Sequence, residues 1–297
     1  MSGGIFFNRY FMQQKLKIAI QKSGRLNEGS LKLLKDCGIS VENGGDKLKA
    51  TASGFPLEVL FLRNSDIPQY VEDGVVNLGI IGENILFEAK PSIDVKQRLG
   101  FSRCRLSLAV PKDIDFMDVN WLNGRKIATS YPVALEAFLK SKGLQSEIHL
   151  ISGSVEIAPA IGLSDAICDL VSSGNTLFSN GLKEVEVLLK SEAVLIQSKN
   201  LDDEMKELSD KLLFRMQSVL NARNFKYVLL NCREDKLSIM KQILPGMKSP
   251  SILPLADKGW YSMHSVVRED DFWNVIDALK ANGAEGILIV PIEKMIF

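Results

Sequence analysis

Short apolar runs alternate with stretches of helical period over the first two thirds of the chain. Leu16-Lys17-Ile18-Ala19-Ile20 reads as a strand, followed by a polar turn at residues 21–26. A helix is predicted over about Asn27–Cys37, with Leu31, Leu34 and Cys37 near helical spacing and Gly38 as its stop. LEVLFL at 57–62 predicts a strand, Ile67–Glu72 a short helix, Lys126–Thr129 a strand, Val133–Ser141 a helix and His149–Ile151 a strand. The extended run Arg103–Val110 marks a crossover, and the two apolar stretches in Val185–Gln197 mark a return. Asp202–Asn224 is a long amphipathic helix: Met205, Leu208, Leu212, Met216 and Val219 recur every three or four residues, with Asp202 or Asp203 as cap. From Phe225 the pattern changes to strand Lys226–Asn231, helix Asp235–Leu244, strands Ser251–Leu255 and Trp260–Arg268, helix Asp271–Ala281 and strand Gly286–Pro291. That order, βαββαβ, is the ferredoxin-like unit. By pattern alone it is either a small-regulator domain or a structural addition.

Two internal echoes point to a repeat. Residues 73–84 resemble the stretch beginning at Asp165 when shifted by 92, which sets Asp73 on Asp165, Asn77 on Asp169, Leu78 on Leu170 and Gly82 on Gly174. Lys17-Ile18-Ala19 is repeated at Lys126-Ile127-Ala128. Together they predict two similar α/β lobes with ligand loops at their strand ends and a cleft between them.

The stretch DAICDLVSSGNTLFSNGL (165–182) holds the strongest candidate chemistry. An apolar run carries Asp169 near its end and breaks into Ser172-Ser173-Gly174-Asn175-Thr176 before a helix start. Glycine lets a backbone approach an anion, hydroxyls donate to it, and the free N–H groups of a first helical turn point at it. The same pattern also fits an ordinary polar turn. It is neither a Walker loop nor GxGxxG. Asp169 suits sugar hydroxyls or a metal. Lys22 and Arg25, flanking Ser23-Gly24 after the first strand, suit a polyanion such as a triphosphate, or are two solvated cations. Ser152–Glu156 again places small residues at a helix start.

Composition narrows the classes. At 297 residues, 46% hydrophobic and 24% charged, the chain is long enough for two or three ordinary domains. Basic and acidic residues balance at 36 each, so no bulk charge favours nucleic acid or a lipid surface. No apolar run approaches the roughly 20 residues of a membrane span, and MSGGIFFNRYFMQQ reads as a loose extension rather than a signal peptide. Cys37, Cys104, Cys168 and Cys232 are scattered, without CxxC or Cys/His spacing; buried free thiols in a reducing cytoplasm are expected. The two histidines, His149 (opening its strand) and His264, fall in different domains, and no Ser/His/Asp or Cys/His arrangement is present. Trp121, Trp260 and Trp273 are expected in cores or interfaces. What remains is a polar, phosphate-holding cleft. It suits a reaction whose reactants bring their own nucleophile and leaving group.

On these segments the chain closely resembles the long form of the ATP phosphoribosyltransferase family. The matching stretches are IAIQKSGRL (18–26), DGVVNLGIIGENIL (73–86), CRLSLAVP (104–111), GRKIATSYP (124–132), GSVEIAP (153–159), DAICDLVSSGNTLFSNGLKEVEV (165–187), ILPLA (252–256) and PIEKM (291–295). The resemblance implies an α/β fold with two periplasmic-binding-protein-like lobes and a C-terminal ferredoxin-like (ACT-like) regulatory domain. By that mapping, lobe I with the connector helix takes 1–104 and 185–224, lobe II 105–184 and the regulatory domain 225–297.

The resemblance also implies condensation of ATP, through adenine N1, with phosphoribosyl pyrophosphate, giving N1-(5-phosphoribosyl)-ATP and pyrophosphate with Mg²⁺. It places the ribose 5-phosphate on Ser172, Ser173, Gly174, Asn175 and Thr176, and the ribose hydroxyls, with the metal, on Asp169. Gly153, Ser154 and Glu156 line the same pocket. Lys22, Ser23, Gly24 and Arg25 face ATP or pyrophosphate, with Arg105 and Tyr131 near the cleft. Asn231, Met247, Ser251, Val266 and Gly286 surround histidine as an allosteric inhibitor bound between neighbouring regulatory domains of a homo-oligomer, dimer to hexamer. Two adjacent acidic residues after a hydrophobic run, the mark of type I phosphoribosyltransferases, are missing. The competing reading is a non-catalytic two-lobe binding or sensor protein.

Overall fold

In the computed structural model of the chain, residues 14–42, 48–244, 246–247 and 249–297 are described. The expected N-terminal extension lies outside them, apart from Gln14. The chain divides into two compact units, the first ending at Leu213 and the second starting at Phe214.

The first unit opens with β1 (Leu16–Gln21), α1 (Arg25–Asp36), β2 (Ser40–Val41), β3 (Lys49–Ser53), β4 (Leu57–Leu62), α2 (Ile67–Glu72), β5 (Leu78–Gly82), α3 (Glu83–Ala89) and β6 (Asp94–Arg98). Then come β7 (Cys104–Pro111), β8 (Lys126–Thr129), α4 (Pro132–Lys142), β9 (Glu147–Leu150), β10 (Ala166–Val171), α5 (Asn175–Ser179), β11 (Leu182–Ser191) and β12 (Ala193–Gln197). Two sheets result, ordered β2-β3-β4-β1-β5-β12-β6 and β11-β7-β10-β8-β9. In the first, β1 runs parallel to β4 and β5, whereas β12 is antiparallel to β5 and to β6. The second copies this plan: β8 is parallel to β9 and β10, β7 antiparallel to β10 and β11. These are the two lobes. Ile18, Ala19, Ile20, Ile80 and Ile81 are fully buried, as central parallel strands covered on both faces must be.

One antiparallel ribbon joins the lobes. Residues 94–98 pair with 193–197 in the first sheet, and 104–111 pair with 182–191 in the second. Between them, Leu99 N–H donates to the Ala193 carbonyl and Ala193 N–H to the Phe101 carbonyl, both at 2.9 Å. Ser102 makes the bend with φ at +50°, a left-handed backbone unusual for a non-glycine residue.

The repeat is real, but one of its expected registers is wrong. Lys17–Ala19 and Lys126–Ala128 are equivalent, lying in β1 and β8. Lys17 N–H donates to Asn77 Oδ1 and Asn77 N–H to the Lys17 carbonyl; Lys126 and Asp165 make the same reciprocal pair. Ile18 is registered with Leu78 and Ile127 with Ala166. Asn77 therefore matches Asp165, an offset of 88 rather than 92, and the counterpart of Asp169 is the buried Ile81. The glycines misled the comparison. Gly82 ends β5 in extended conformation, whereas Gly174 is a left-handed helix cap.

Helix α6 (Asp203–Ala222) follows, with its predicted stripe Met205, Leu208, Leu212, Met216 and Val219 buried. Met205 N–H donates to Asp202 Oδ1 at 2.8 Å, which makes Asp202 the cap.

In the second unit, β13 (Phe225–Arg233), α7 (Leu237–Ile243), β14 (Ser251–Pro254), β15 (Trp260–Arg268), α8 (Glu269–Ala281) and β16 (Glu285–Pro291) form an antiparallel sheet ordered β14-β15-β13-β16, the ferredoxin-like arrangement. Val228, Leu230, Cys232, Met263 and Val267 pack with Met240, Phe272 and Leu279 of the two helices. A 3-10 turn at Glu234–Lys236 takes the start of the helix expected from Asp235. Trp273 is 62% exposed, so it fills no core.

Gly79 shows how tightly the first sheet is covered. A Cβ there would lie 2.7 Å from Ile67 Cγ2 and 3.0 Å from Ile196 Cγ1. Gly79→Ala is expected to lower stability by about 1–3 kcal/mol through overpacking, read from urea unfolding; an unchanged midpoint would contradict this packing.

Candidate active site

Two glycine-capped helix starts meet across the cleft. β1 ends at Gln21, Lys22-Ser23-Gly24 turns the chain, and α1 begins at Arg25. β10 ends at Val171, Ser172-Ser173-Gly174 turns the chain, and α5 begins at Asn175. Gly24 and Gly174 both have φ at +83°, where a side chain is strained, so glycine is required at these caps. Neither N-cap residue caps its helix with a side chain; Asn175 N–H makes only a long 3.5 Å bond to Ser173 Oγ, which an anion can displace. Arg25 Nη1 donates to Ser172 Oγ at 2.8 Å, the contact that brings the loops together. Lys22, Ser23, Gly24, Ser173, Asn175 and Thr176 are exposed.

Arg105 holds the second loop from beneath. Its fork grips the Glu184 carboxylate, and its remaining donor reaches the Ser172 carbonyl at 3.2 Å. Ser107 Oγ also donates to Glu184, at 2.7 Å. These donors hold the Glu184 carboxyl below the usual carboxylate range, the Arg105 bond being the largest cause. Arg105 thus serves as a brace for Ser172, its charge already paired. Sequence reasoning missed Glu184, because only the pairing of β7 with β11 brings it under the loop.

Asp169 lies two residues inside β10, half-buried, with Oδ1 accepting from Leu170 N–H at 2.8 Å. Burial first, then the nearby Glu156 carboxylate, pushes its carboxyl up. Glu156 belongs to a 3-10 turn at Val155–Ile157, entered from Gly153 through Ser154 at φ +51°. Tyr131 faces the same place. Its hydroxyl accepts from Asn84 Nδ2 at 3.3 Å, while burial and the Asp169 charge push its pKa well up, so it keeps its proton to donate. Thr129 Oγ1 accepts from Tyr131 N–H at 2.9 Å and donates to the Cys168 carbonyl at 2.7 Å, tying Tyr131 to the strand that carries Asp169. Burial also raises the Cys104 and Cys168 thiols, leaving neither as a ready nucleophile. Cys104 is only half-buried, unlike the other three cysteines. His149 stands third in β9 rather than opening it.

A cavity of about 250 Å³ spans the cleft between Gln21, Arg25, Asn64 and Asn84 on one side and Leu170 and Ser172 on the other. A second, of about 500 Å³, shares Arg103, Cys104 and Ser172 with it and is ringed by Arg98, Arg105 and Lys190. Arg98 pairs with Glu83 and Arg103 with Glu192, so a polyanion entering here competes with carboxylates for exposed cations. Among the described residues no three His, Cys, Asp or Glu side chains cluster as a metal cage. Glu156 lies near enough to Asp169 for its charge to act on that carboxyl.

In the second unit, Asn231, Ser251 and Val266 lie on the sheet face away from the helices, in register with Ser262, His264 and Tyr227 respectively. Gly286, at φ +56°, sits where a Cβ would come within 3.2 Å of Asn231 Nδ2. Met247 is exposed in the segment between α7 and β14.

Comparison with known proteins matches this geometry to one family. The model described as ATP phosphoribosyltransferase covers residues 63–218, and that described as HisG, C-terminal domain covers 222–294. The ATP phosphoribosyltransferase of Cytophaga hutchinsonii is 54% identical over 96% of this chain and 100% of its own length. That of Bacteroides fragilis is 56% identical over 95% of this chain and 99% of its own. Among solved structures, the ATP phosphoribosyl transferase (HisG:HisZ) complex from Thermotoga maritima overlays with a TM-score of 0.60 at 29% identity, covering 69% of this chain and 98% of that one. With a family model over more than half of its length and relatives 54% and 56% identical over nearly all of it, the chain belongs to the ATP phosphoribosyltransferase family, which carries out the first step of histidine biosynthesis.

Proposed function

We propose that phosphoribosyl pyrophosphate lies on the second lobe and ATP against the first. The 5-phosphate rests on Ser172–Thr176 at the start of α5. The ribose hydroxyls bond to Asp169, with Gly153, Ser154 and Glu156 lining the pocket. Lys22, Ser23, Gly24 and Arg25 face the triphosphate or the departing pyrophosphate, with Arg105 and Tyr131 nearby. The observation that carries this reading is the Arg25–Ser172 bond, which sets two uncapped helix starts against each other. A phosphate inserted there exchanges one neutral acceptor for charge-assisted bonds to Arg25 and to the free N–H groups.

The chemistry asks no nucleophile of the protein. Adenine N1 attacks ribose C1 as pyrophosphate leaves, and the cleft contributes placement and electrostatic stabilisation. Bound Mg²⁺ would neutralise the pyrophosphate; Asp169 and Glu156 are the side chains that would hold it from the protein side. The Asp169 carboxylate would stabilise positive charge growing on the ribose ring. The C-terminal unit binds histidine through Asn231, Ser251, Val266, Gly286 and Met247 in a homo-oligomer, dimer to hexamer. The Thermotoga maritima structure is named as a HisG:HisZ complex; with its own HisG C-terminal domain, this chain needs no separate regulatory subunit. Such a biosynthetic enzyme works in the cytoplasm.

With ATP, phosphoribosyl pyrophosphate, Mg²⁺ and pyrophosphatase, the absorbance of an N1-alkylated adenine is expected to grow. Thr176→Ala should lower kcat/KM for phosphoribosyl pyrophosphate roughly 10- to 100-fold, the loss of a bond to a charged group. Wild-type kinetics in that variant would remove the loop from the site.

Asp169 has a second consequence. Its folded pKa is raised, so ionising it costs the folded state stability once the pH exceeds the unfolded value, and nothing below it. Asp169→Asn is expected to be more stable than wild type at pH 7, with the gain shrinking as pH falls towards about 4, while phosphoribosyl pyrophosphate use collapses. Urea unfolding at both pH values decides; a variant less stable at pH 7 contradicts the burial argument.

Asn231→Ala should raise the histidine concentration for half-inhibition at least several-fold without altering uninhibited turnover. An unchanged inhibition curve would move the effector site elsewhere.

A further inference from the structure

Helix α4 lacks a cap of its own. Tyr131 occupies its N-cap position without a capping bond from its side chain, and Pro132, next in line, has no N–H. The N–H groups of Val133 and Ala134 are taken instead by Glu88, a residue of α3 on the opposite lobe. Each carboxylate oxygen accepts one, at 2.8 and 3.0 Å. A carboxylate is the favoured partner at this end of a helix, by charge and by dipole.

One turn earlier on α3, Asn84 is buried and reaches the same place. Its Nδ2 donates to the Tyr131 hydroxyl, its Oδ1 accepts from Ser191 Oγ at 3.0 Å, and its own N–H donates to that hydroxyl at 3.0 Å. Ser191 ends β11, part of the ribbon between the lobes. Within the second lobe, Thr129 ties Tyr131 to the residue before Asp169. The start of α4 and Asp169 thus share one frame, and α3 fastens that frame to the first lobe.

We propose that Glu88 is a positioning residue: by capping α4 from the other lobe it holds the cleft closed and keeps Tyr131 beside Asp169. Val133 and Ala134 have this partner only while the lobes are together, so the cap favours closure rather than the folding of either lobe. Losing a cap is worth roughly a 2- to 30-fold shift in such a balance. A reactant that needs the closed cleft then binds more weakly by up to that factor, while turnover at saturation changes little. This inference rests on the reading that both reactants meet in this cleft.

The test is steady-state kinetics of the full chain carrying Glu88→Ala or Glu88→Gln, with thermal unfolding and hydrogen exchange at Val133 and Ala134. For Glu88→Ala, KM for both substrates should rise by up to roughly 30-fold with kcat within about twofold, and the two amides should exchange faster. Glu88→Gln, whose amide oxygen still accepts one N–H, should fall between. Wild-type KM values overturn the proposal whatever happens to Tm, and so does a loss confined to kcat. If Glu88→Ala does not fold, Glu88→Gln carries the test: raised KM for both substrates supports the clasp and unchanged KM overturns it. Thr176→Ala in parallel separates the failures. If it is impaired while Glu88 variants are not, only the clasp is wrong; if neither is impaired, the cleft reading falls too.

Discussion

Residues 94–111 and 182–197 run side by side as one antiparallel ribbon through both sheets, and every feature of the cleft follows from that pairing. The ribbon fixes the distance between the lobes. It sets the end of β1 opposite the end of β10, so that Arg25 meets Ser172 although the two are far apart in the chain. It also brings Glu184 alongside Arg105 and Ser107, and this brace keeps the phosphate loop at a defined height. The ribbon passes from one sheet to the other at Ser102, whose backbone is left-handed.

Within that frame the electrostatics divide the work. Arg25 and the start of α5 meet in one part of the cleft, and Arg98, Arg103 and Arg105, each paired with a carboxylate, lie beside Lys190 in the next. Negative charge is concentrated at Asp169, where burial makes ionisation costly, with Glu156 nearby. A sugar phosphate with a leaving pyrophosphate has the complementary pattern: anionic at its two ends and cationic at the reacting carbon in the transition state. The protein supplies fixed charges for each region, and its two nearby thiols stay protonated. Differential binding of the transition state is then the main resource available.

Much of this was legible in the residues because it is local. Strands buried on both faces, such as LKIAI and LEVLFL, announce themselves by continuous apolar runs, and Ser-Ser-Gly before a helix start announces an anion loop. Three strands were not legible: β2 and β6 are polar edge strands, and β3 alternates between buried and exposed positions, but only alanines are buried, so no apolar run forms. The repeat was seen but misregistered by four residues, because glycine matched glycine while the backbone roles differed. Glu88, Asn84 and Glu184 left no local trace at all. Their partners lie 45 to 107 positions away, in places that only the register of the ribbon and the packing of α3 on α4 decide.

The central claim is that the turn after Asp169 grips the sugar's phosphate while the turn after β1 faces the nucleotide. A crystal structure of the chain with phosphoribosyl pyrophosphate and ATP tests it most directly. The account predicts the 5-phosphate oxygens at about 3 Å from N–H groups of residues 174–176, with the triphosphate towards Lys22–Arg25. A 5-phosphate seated elsewhere, with that turn facing only solvent, would contradict it.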